Sequence, residues 1–478
     1  MPKTLPSAFS TRYDHLLTSE VIGSLCYIPP SGKEISLRIH PQRTSAEQFE
    51  QTAQAYGWKI QPIPDCFGSF TVVRGTGPRV TSTPEYFAGL FYIQESASML
   101  PPLILNPELH SAILDMTAAP GSKTTQLSHL MNNTGAIIAN DMDPRRMKAL
   151  AFNIEKQGCR NVALRCGDAC RFGEALPETF DYVLLDAPCS AEGSITKDPT
   201  YFTYWHENKI PRLAALQKEL LTAALKTCKT GGTIVYSTCT IAPEENEGVI
   251  DWLLENYGDF VEIEPIKDFP SIPRSAISSW QDKTFNPQVN KAIHLIPTAD
   301  QHESFFIARI KKIKSLISND PQPVNSLTRK LVNQQVILPQ ILARFSLAPT
   351  LFTDTVTTEI NEQYWLSGQD LHSFLADFPL KIDRSGMPLG RETQKGFRMA
   401  FPFALAYAQH GKQNVAQLDE ANARQFIRGN TVSCLNEDEL EAGQVLVVYE
   451  GMGLGRALFT GENPLKNQTP PEFVLRKG

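Results

Sequence analysis

The sequence predicts an α/β protein built around a mostly parallel, doubly wound sheet. A mixed region precedes that sheet and a small β-rich region follows it. Three observations carry this prediction. Between residues about 96 and 312, short apolar runs alternate with helical periodicity, the pattern of parallel strands joined by crossover helices. The first of these runs passes into a glycine-bearing turn, Leu114-Asp115-Met116-Thr117-Ala118-Ala119-Pro120-Gly121-Ser122-Lys123-Thr124. Two later runs each end at a cysteine, in Asp186-Ala187-Pro188-Cys189-Ser190 and in Ser237-Thr238-Cys239-Thr240.

Residues 1–95 form the mixed N-terminal region, expected to be an RNA-binding or accessory domain. Ser45 to Tyr56 has helical character, and Phe70-Thr71-Val72-Val73 reads as a strand. The expected strands of the central region, 96–312, are Ala112 to Met116, Gly135 to Asn140, Val162 to Cys166, Tyr182 to Leu185, Thr233 to Ser237 and Ser304 to Ile310. Leu213 to Thr227 is an intervening helix, and right-handed crossovers place helices on both faces. Polar, proline-bearing residues from about 313 to 326 read as a linker. A small α+β domain is expected over 325–388 and a β-rich one over 389–478. In the latter, Gly443 to Tyr449 precedes Gly451, Gly453, Gly455 and Gly461. Strands with glycine turns suggest a small barrel.

The 478 residues suffice for about three domains, and 42% hydrophobic with 20% charged residues is ordinary for a globular chain. A net charge of -6 argues mildly against a nucleic-acid partner, unless a local basic patch supplies the grip. Candidate patches are Arg145-Arg146-Met147-Lys148, Lys311-Lys312-Ile313-Lys314 and Arg476-Lys477. Nine cysteines without CxxC spacing suggest neither a disulfide nor a zinc framework, so no metal is expected. No signal peptide and no spanning apolar run is apparent, and a reducing cytoplasm is the expected compartment.

The glycine-bearing turn suits a nucleoside ligand. Small residues let a ligand approach the backbone, and the following helix offers free N–H groups. The next expected strand ends at Asn140-Asp141, where a carboxylate can accept hydrogen bonds from a ribose diol. The third ends at Gly167-Asp168-Ala169, within reach of an adenine edge. The turn is neither GxGxxG nor a P-loop. A pyrophosphate ligand therefore fits less well than a nucleoside such as S-adenosylmethionine, and a nicotinamide-dependent oxidoreductase fits poorly.

The two cysteines point to thiol chemistry on a pyrimidine. Cytosine carbon 5 is a poor nucleophile until a thiolate adds at carbon 6. That chemistry needs a thiolate, a hydrogen-bonding group at the N3 edge and a base for the carbon-5 proton. Asp186, Cys189 and Cys239 supply such groups at a sheet edge where ligands bind. The chemistry alone leaves open which cysteine attacks. Cys26, Cys66, Cys159, Cys166, Cys170, Cys228 and Cys434 are expected to be small buried hydrophobes.

The three motifs, the last continuing as Ile241-Ala242-Pro243-Glu244-Glu245-Asn246-Glu247, resemble signatures of the RNA cytosine-5 methyltransferases. Gln94 to Met99 is similar to a further segment of that family, and the resemblance covers residues about 85 to 312. It implies a Rossmann-like, S-adenosylmethionine-dependent core. By resemblance, Cys239 is the nucleophile and Cys189 assists product release. Thr117, Ala118, Ala119, Pro120, Gly121, Ser122, Lys123, Asp141, Asp168 and Asp186 then bind the cofactor or the target base.

Leu389-Gly390-Arg391-Glu392, Phe401-Pro402, Gly451 to Arg456 and Arg476-Lys477 are similar to the bacterial methyltransferase F subfamily. That subfamily carries a PUA-like RNA-binding domain and modifies a decoding-region cytosine of 16S rRNA in the small subunit. Ser122 stands where many members of the wider family have a second glycine, and methyltransferase F enzymes share this departure. A monomer acting on 16S rRNA is therefore expected. The alternatives are a cytosine-5 methyltransferase for tRNA or another rRNA site, and a non-catalytic RNA-binding assembly factor with dispensable thiols.

Overall fold

The structure, a computed structural model, describes residues 6–24, 34–194, 205–269, 271, 276–297, 304–317, 337–360, 362–394 and 396–475. The sequence readings at Cys26, most of the linker, the start of the 325–388 region and Arg476-Lys477 lie outside the described residues.

The N-terminal strands are β1 (Ile35–Ile39), β2 (Trp58–Pro62), β3 (Ser69–Arg74) and β4 (Phe91–Ile93), in the sheet order β2-β3-β1-β4. Helix Ala46–Tyr56 covers this sheet. Ser45 and Gln48 close a capping box at its start, and Gly57 ends it in the left-handed conformation. Its Phe49 and Ala53 pack on Leu37, Phe70 and Val72.

The central strands are β5 (Ala112–Asp115), β6 (Ala136–Asp141), β7 (Val162–Cys166), β8 (Phe180–Asp186), β9 (Cys228–Thr238) and β10 (Val261–Glu264). A two-stranded ribbon, β11 (Ser279–Trp280) and β12 (Lys283–Thr284), precedes β13 (Ile293–Leu295) and β14 (Phe305–Lys312). The next region supplies β15 (Thr355–Ile360), β16 (Gln363–Gly368), β17 (Arg384–Ser385), β18 (Met387–Thr393) and β19 (Gly396–Met399). The central order is β10-β14-β9-β8-β5-β6-β7-β17, with β13 also on β14. Strands β5 to β9 run parallel, while β14 and β17 are antiparallel to their neighbours.

Both faces of the sheet are covered. Leu114, Ile138, Val183, Leu185, Ile234 and Tyr236 join helices Lys209–Thr227 and Glu247–Tyr257 in one buried cluster. Ile113, Ile137, Val162, Leu184 and Val235 face the other way, toward helices Ser96–Leu105, Ser122–Leu130 and Pro144–Lys156. This alternation along fully buried strands makes the sheet doubly wound.

The six expected strands are all present with ends shifted by a few residues, whereas β10, β13 and β17 escaped the sequence reading. Strand β17 comes from the region expected to be a separate small domain. Arg384 pairs with Leu164 and Ser385 with Ala163, and Leu371, Leu375 and Phe378 enter the central core. The expected boundary at 388/389 falls inside β18, which pairs with both β16 and β19. Composition does not show such pairing, because the partners lie far apart in sequence.

The last strands, β20 (Val415–Gln417), β21 (Gly443–Tyr449), β22 (Met452–Phe459) and β23 (Lys466–Asn467), form a sheet in that order. This β-rich region has four paired strands and a further bridge between Val432 and Leu465.

Candidate active site

The chain leaves β5 toward β6 and β7 on one side, then returns to place β8 and β9 on the other. The strand order reverses there, and the crevice beyond the strand C-termini is the ligand position of such sheets. Three of the four loops at that crevice carry the motifs found in the sequence.

The loop after β5 is held by backbone bonds. Ala118 N–H donates to Asn140 O at 2.7 Å, and Gly121 N–H to Ala118 O at 2.8 Å. Gly121 has φ +105°, the left-handed region that favours glycine, and a Cβ there would also meet Leu150 Cδ1 at 2.8 Å. No side chain caps the helix that begins at Ser122. Its first-turn N–H groups and the small buried residues Ala118 and Ala119 fit a nucleoside ligand.

Asp141 ends β6 beside this loop. Its Oδ2 accepts from Ala119 N–H at 3.2 Å and its Oδ1 from Asp143 N–H at 3.0 Å. Arg146 reaches the same carboxylate at 3.2 Å and also donates to Ala119 O. Asp168 is exposed and accepts from Cys170 N–H at 2.9 Å, starting the short turn after β7. Behind the loop, Thr124 Oγ1 donates to Asp115 Oδ2 at 2.7 Å. Burial pushes the Asp115 carboxyl up to about 7.

The cofactor loop and the thiol site meet at Asp186. Lys123 Nζ donates to Asp186 Oδ2 at 2.7 Å and to Ser98 Oγ at 2.9 Å. Ser237 Oγ donates to Asp186 Oδ1 at 2.8 Å, and Thr117 Oγ1 to the Asp186 carbonyl at 2.8 Å. Cys189 and Cys239, 50 residues apart, have their sulfurs 3.5 Å from each other. The hydrogen bond to Cys239 first, and burial second, push the Cys189 thiol well above its usual range.

Sequence reasoning missed the groups that hold the two cysteine loops. Ser190 Oγ and Thr240 Oγ1, each following a cysteine, are 2.6 Å apart. Glu245 Oε2 accepts from Ser190 N–H at 3.0 Å and from Gln217 Nε2 at 2.7 Å, and burial raises its carboxyl to about 7. Fully buried Glu192 accepts from Thr240, Tyr13 and Trp205. Gly193 leaves no room for a side chain, since a Cβ would lie 2.6 Å from Ser304 O and 2.9 Å from Cys239 O. Glu245 stands inside the quoted Pro-Glu-Glu-Asn-Glu run, so a buried carboxylate in that motif was the available signal. Tyr13 and Glu192 gave none.

Other sequence readings are corrected by burial. Lys312 is fully buried, donating to Cys228 O at 2.8 Å and pairing with Glu178 at 2.9 Å, which removes it from any basic patch. Arg146 is engaged at the cofactor loop. Cys166, the last residue of β7, is exposed and Cys170, in the turn beyond it, is half-buried, whereas Cys66, Cys159, Cys228 and Cys434 are buried. Among the described residues, no cluster of ligands could hold a metal ion and no helix is long and apolar enough to cross a membrane.

A doubly wound sheet with β14 antiparallel beside β9, and a nucleoside-type loop after β5, defines the class of S-adenosylmethionine-dependent methyltransferases. Comparisons with known proteins specify the family. Residues 102–311 match the family 16S rRNA methyltransferase RsmB/F, residues 5–96 the N-terminal domain of 16S rRNA methyltransferase RsmF, and residues 413–475 the methyltransferase RsmF PUA domain. Ribosomal RNA small subunit methyltransferase F from Aeromonas salmonicida is 35% identical over 92% of this chain and 90% of its own. The protein of the same name from Vibrio atlanticus is 34% identical over 99% and 98%. The solved methyltransferase homolog protein from Pyrococcus horikoshii is 32% identical, with a TM-score of 0.56, covering 64% of this chain and 95% of that one. NSun6 from the same organism, solved with SFG, is 22% identical with a TM-score of 0.54 over 66% of this chain and 99% of that one, and shares the fold.

The chain belongs to the 16S rRNA methyltransferase RsmB/F family. It is an S-adenosylmethionine-dependent rRNA methyltransferase, with a PUA domain at its C-terminal end.

Proposed function

We propose that this enzyme methylates carbon 5 of a decoding-region cytosine of 16S rRNA, acting as a cytoplasmic monomer on the small ribosomal subunit. The contact between Cys189 and Cys239 beside Asp186 is the observation that carries the reading. Two sulfurs at 3.5 Å can serve opposite faces of one chemical cycle, one adding and one assisting departure.

Cys239 is the nucleophile. The Cys239 sulfur lies 3.5 Å from that of Cys189, so one thiol of the pair can carry the proton while the other acts as thiolate, and the family resemblance assigns the attacking role to Cys239. The Cys239 thiolate adds to carbon 6, and Asp186, supported by Lys123 and Ser237, holds the pyrimidine N3 edge. The carbon-5 lone pair so created needs an electrophile. Thr117 to Lys123, Asp141 and Asp168 would hold S-adenosylmethionine, which would supply a methyl cation equivalent to that carbon. Afterwards the carbon-5 proton leaves to a base, the electrons of that C–H bond restore the ring double bond, and the carbon–sulfur bond breaks to return the Cys239 thiolate. Cys189 is the group placed to assist this elimination.

The target base must be unstacked for carbon 6 to be reached, as in an RNA loop or a flipped nucleotide. Mapping 5-methylcytosine in 16S rRNA from cells with and without the protein tests the substrate. One cytosine should lose its methyl group, and an unchanged map overturns the assignment. Cys189→Ala is expected to accumulate a covalent protein–RNA adduct on denaturing gels. Accumulation by Cys239→Ala instead would reverse the two roles.

A further inference from the structure

We propose that the N-terminal segment is a positioning device of the active site, in which Tyr13, acting through Glu192 and Thr240, holds the two cysteine loops together. Tyr13 caps the short helix Ser7–Arg12 and lies 176 positions before Cys189 in the chain. Its hydroxyl donates to Glu192 Oε2 at 2.7 Å. Thr240 Oγ1 donates to the same oxygen at 2.9 Å, and Trp205 Nε1 to Oε1 at 2.7 Å.

This arrangement fixes a direction. Burial raises the Glu192 carboxyl, and in its ionised form it only accepts, so the single hydroxyl proton of Thr240 is then committed to Glu192. The proton of the 2.6 Å bond between Ser190 and Thr240 must therefore come from Ser190. The chain of donors runs from the residue after Cys189, to the residue after Cys239, to a fully buried carboxylate. Tyr13 and Trp205 satisfy that carboxylate from outside the catalytic loops.

Apolar packing seats the device. Phe9, Tyr13, Leu17 and Val21 form one buried cluster with Trp205 and Ile241, the latter two residues beyond Cys239. Arg12 extends the attachment to Glu244 at 2.7 Å, inside the motif that follows Cys239. An N-terminal segment that bound RNA alone would not need its tyrosine hydroxyl buried on a carboxylate shared with the thiol loop.

The clamp predicts that the sulfurs stay in contact only while the donor chain is intact. The test uses the full chain carrying Tyr13→Phe, Thr240→Val or Ser190→Ala, each close in shape to the parent residue. The first readout needs neither cofactor nor RNA. The disulfide oxidant diamide takes two electrons and two protons from the thiol pair, and mass spectrometry follows the Cys189–Cys239 disulfide. Each variant should form it roughly tenfold more slowly, the scale of one lost hydrogen bond to a charged group. S-adenosylmethionine affinity should stay within about twofold, since the bonds described for the cofactor loop run to Asn140, Asp141 and Asp186.

The second readout rests on Cys189 assisting release. The RNA adduct should persist about tenfold longer in the Tyr13→Phe enzyme, while one round of methyl transfer still proceeds. Parent-like disulfide rates in all three variants would overturn the clamp. Slow disulfide formation with no adduct, even in Cys189→Ala, would sustain the clamp and overturn the release role of Cys189. Loss of cofactor affinity in proportion to the disulfide rate would show general unfolding and reject the proposal.

Discussion

On the β5–β6 side of the cofactor edge, the hydrogen bonds that shape the site join residues close in sequence, apart from the crossings of Thr117 and Lys123 to Asp186 at the junction with the thiol site. Thr124 and Asp115 are 9 apart, Ala119 and Asp141 are 22, and Arg146 reaches Ala119 over 27. At the thiol edge the spans are longer. Ser190 meets Thr240 over 50 residues and Glu245 over 55, and Tyr13 meets Glu192 over 179. The chemistry differs as well. The cofactor loop is largely backbone in a glycine-dependent turn, while the thiol loops hang on buried carboxylates. A backbone loop tolerates a change in any one side chain. A buried carboxylate loses its donors or its solvation together.

The largest effect should come from the thiol edge. Cys239→Ala is expected to reduce methyl transfer to background while cofactor affinity, read by titration calorimetry, stays within about twofold. Appreciable turnover in that variant would end the distinction between the edges. Phe378→Ala should act on both alike. Phe378 belongs to the core cluster under β8 and β9, so its loss should cost about 3–5 kcal/mol of stability in a denaturant melt. For the same reason, removing everything after Lys314 would strip β17 and these core side chains, and would not isolate RNA binding.

Glu245→Gln sharpens the contrast through pH. Burial raises this carboxyl from 4.5 to about 7, so between those values the folded chain keeps a proton that the unfolded chain releases. Its contribution to stability is full below about 4.5 and is lost as pH rises through 7. The variant should lack that slope, a difference of up to roughly 3 kcal/mol at pH 8 in melts taken from pH 4.5 to 8. Parallel pH profiles would show that Glu245 is not the titrating group.

Asp141→Ala should weaken S-adenosylmethionine binding by about 10- to 150-fold, one charge-assisted hydrogen bond's worth. Disulfide formation between Cys189 and Cys239 should be unaffected. Unchanged cofactor affinity would remove Asp141 from the ribose. The smallest effect is expected of Gly121→Ala. Its positive φ and the contact with Leu150 should cost about 1–3 kcal/mol, seen as a lower melting temperature and weaker cofactor binding.

The readable part of the site follows this division. Thr117 to Lys123, Asp141 and Asp186 lie at strand ends that period and glycine placement locate, and the structure gathers them at one crevice. Lys123 proved to join Asp186 rather than remain in the loop, because its long side chain crosses to the neighbouring strand. Asp168 lies at the predicted strand end, with its carboxylate engaged in a turn. Lys312 looked like surface charge in a basic run, but alternation along β14 turns it inward onto Glu178.

The sequence by itself determined the strand-helix alternation, the glycine turn and the two cysteine motifs. Each of these depends on neighbours within a few residues, through backbone geometry or side-chain period. Only the tertiary structure decided that β17 completes the central sheet and that the 388/389 boundary cuts a strand. It alone brought the sulfurs to 3.5 Å and set Tyr13 and Glu192 behind them. Strand pairing and buried polar networks join residues across long loops, and their partners are selected by packing and by the cost of an unsatisfied buried group. No local pattern encodes that selection.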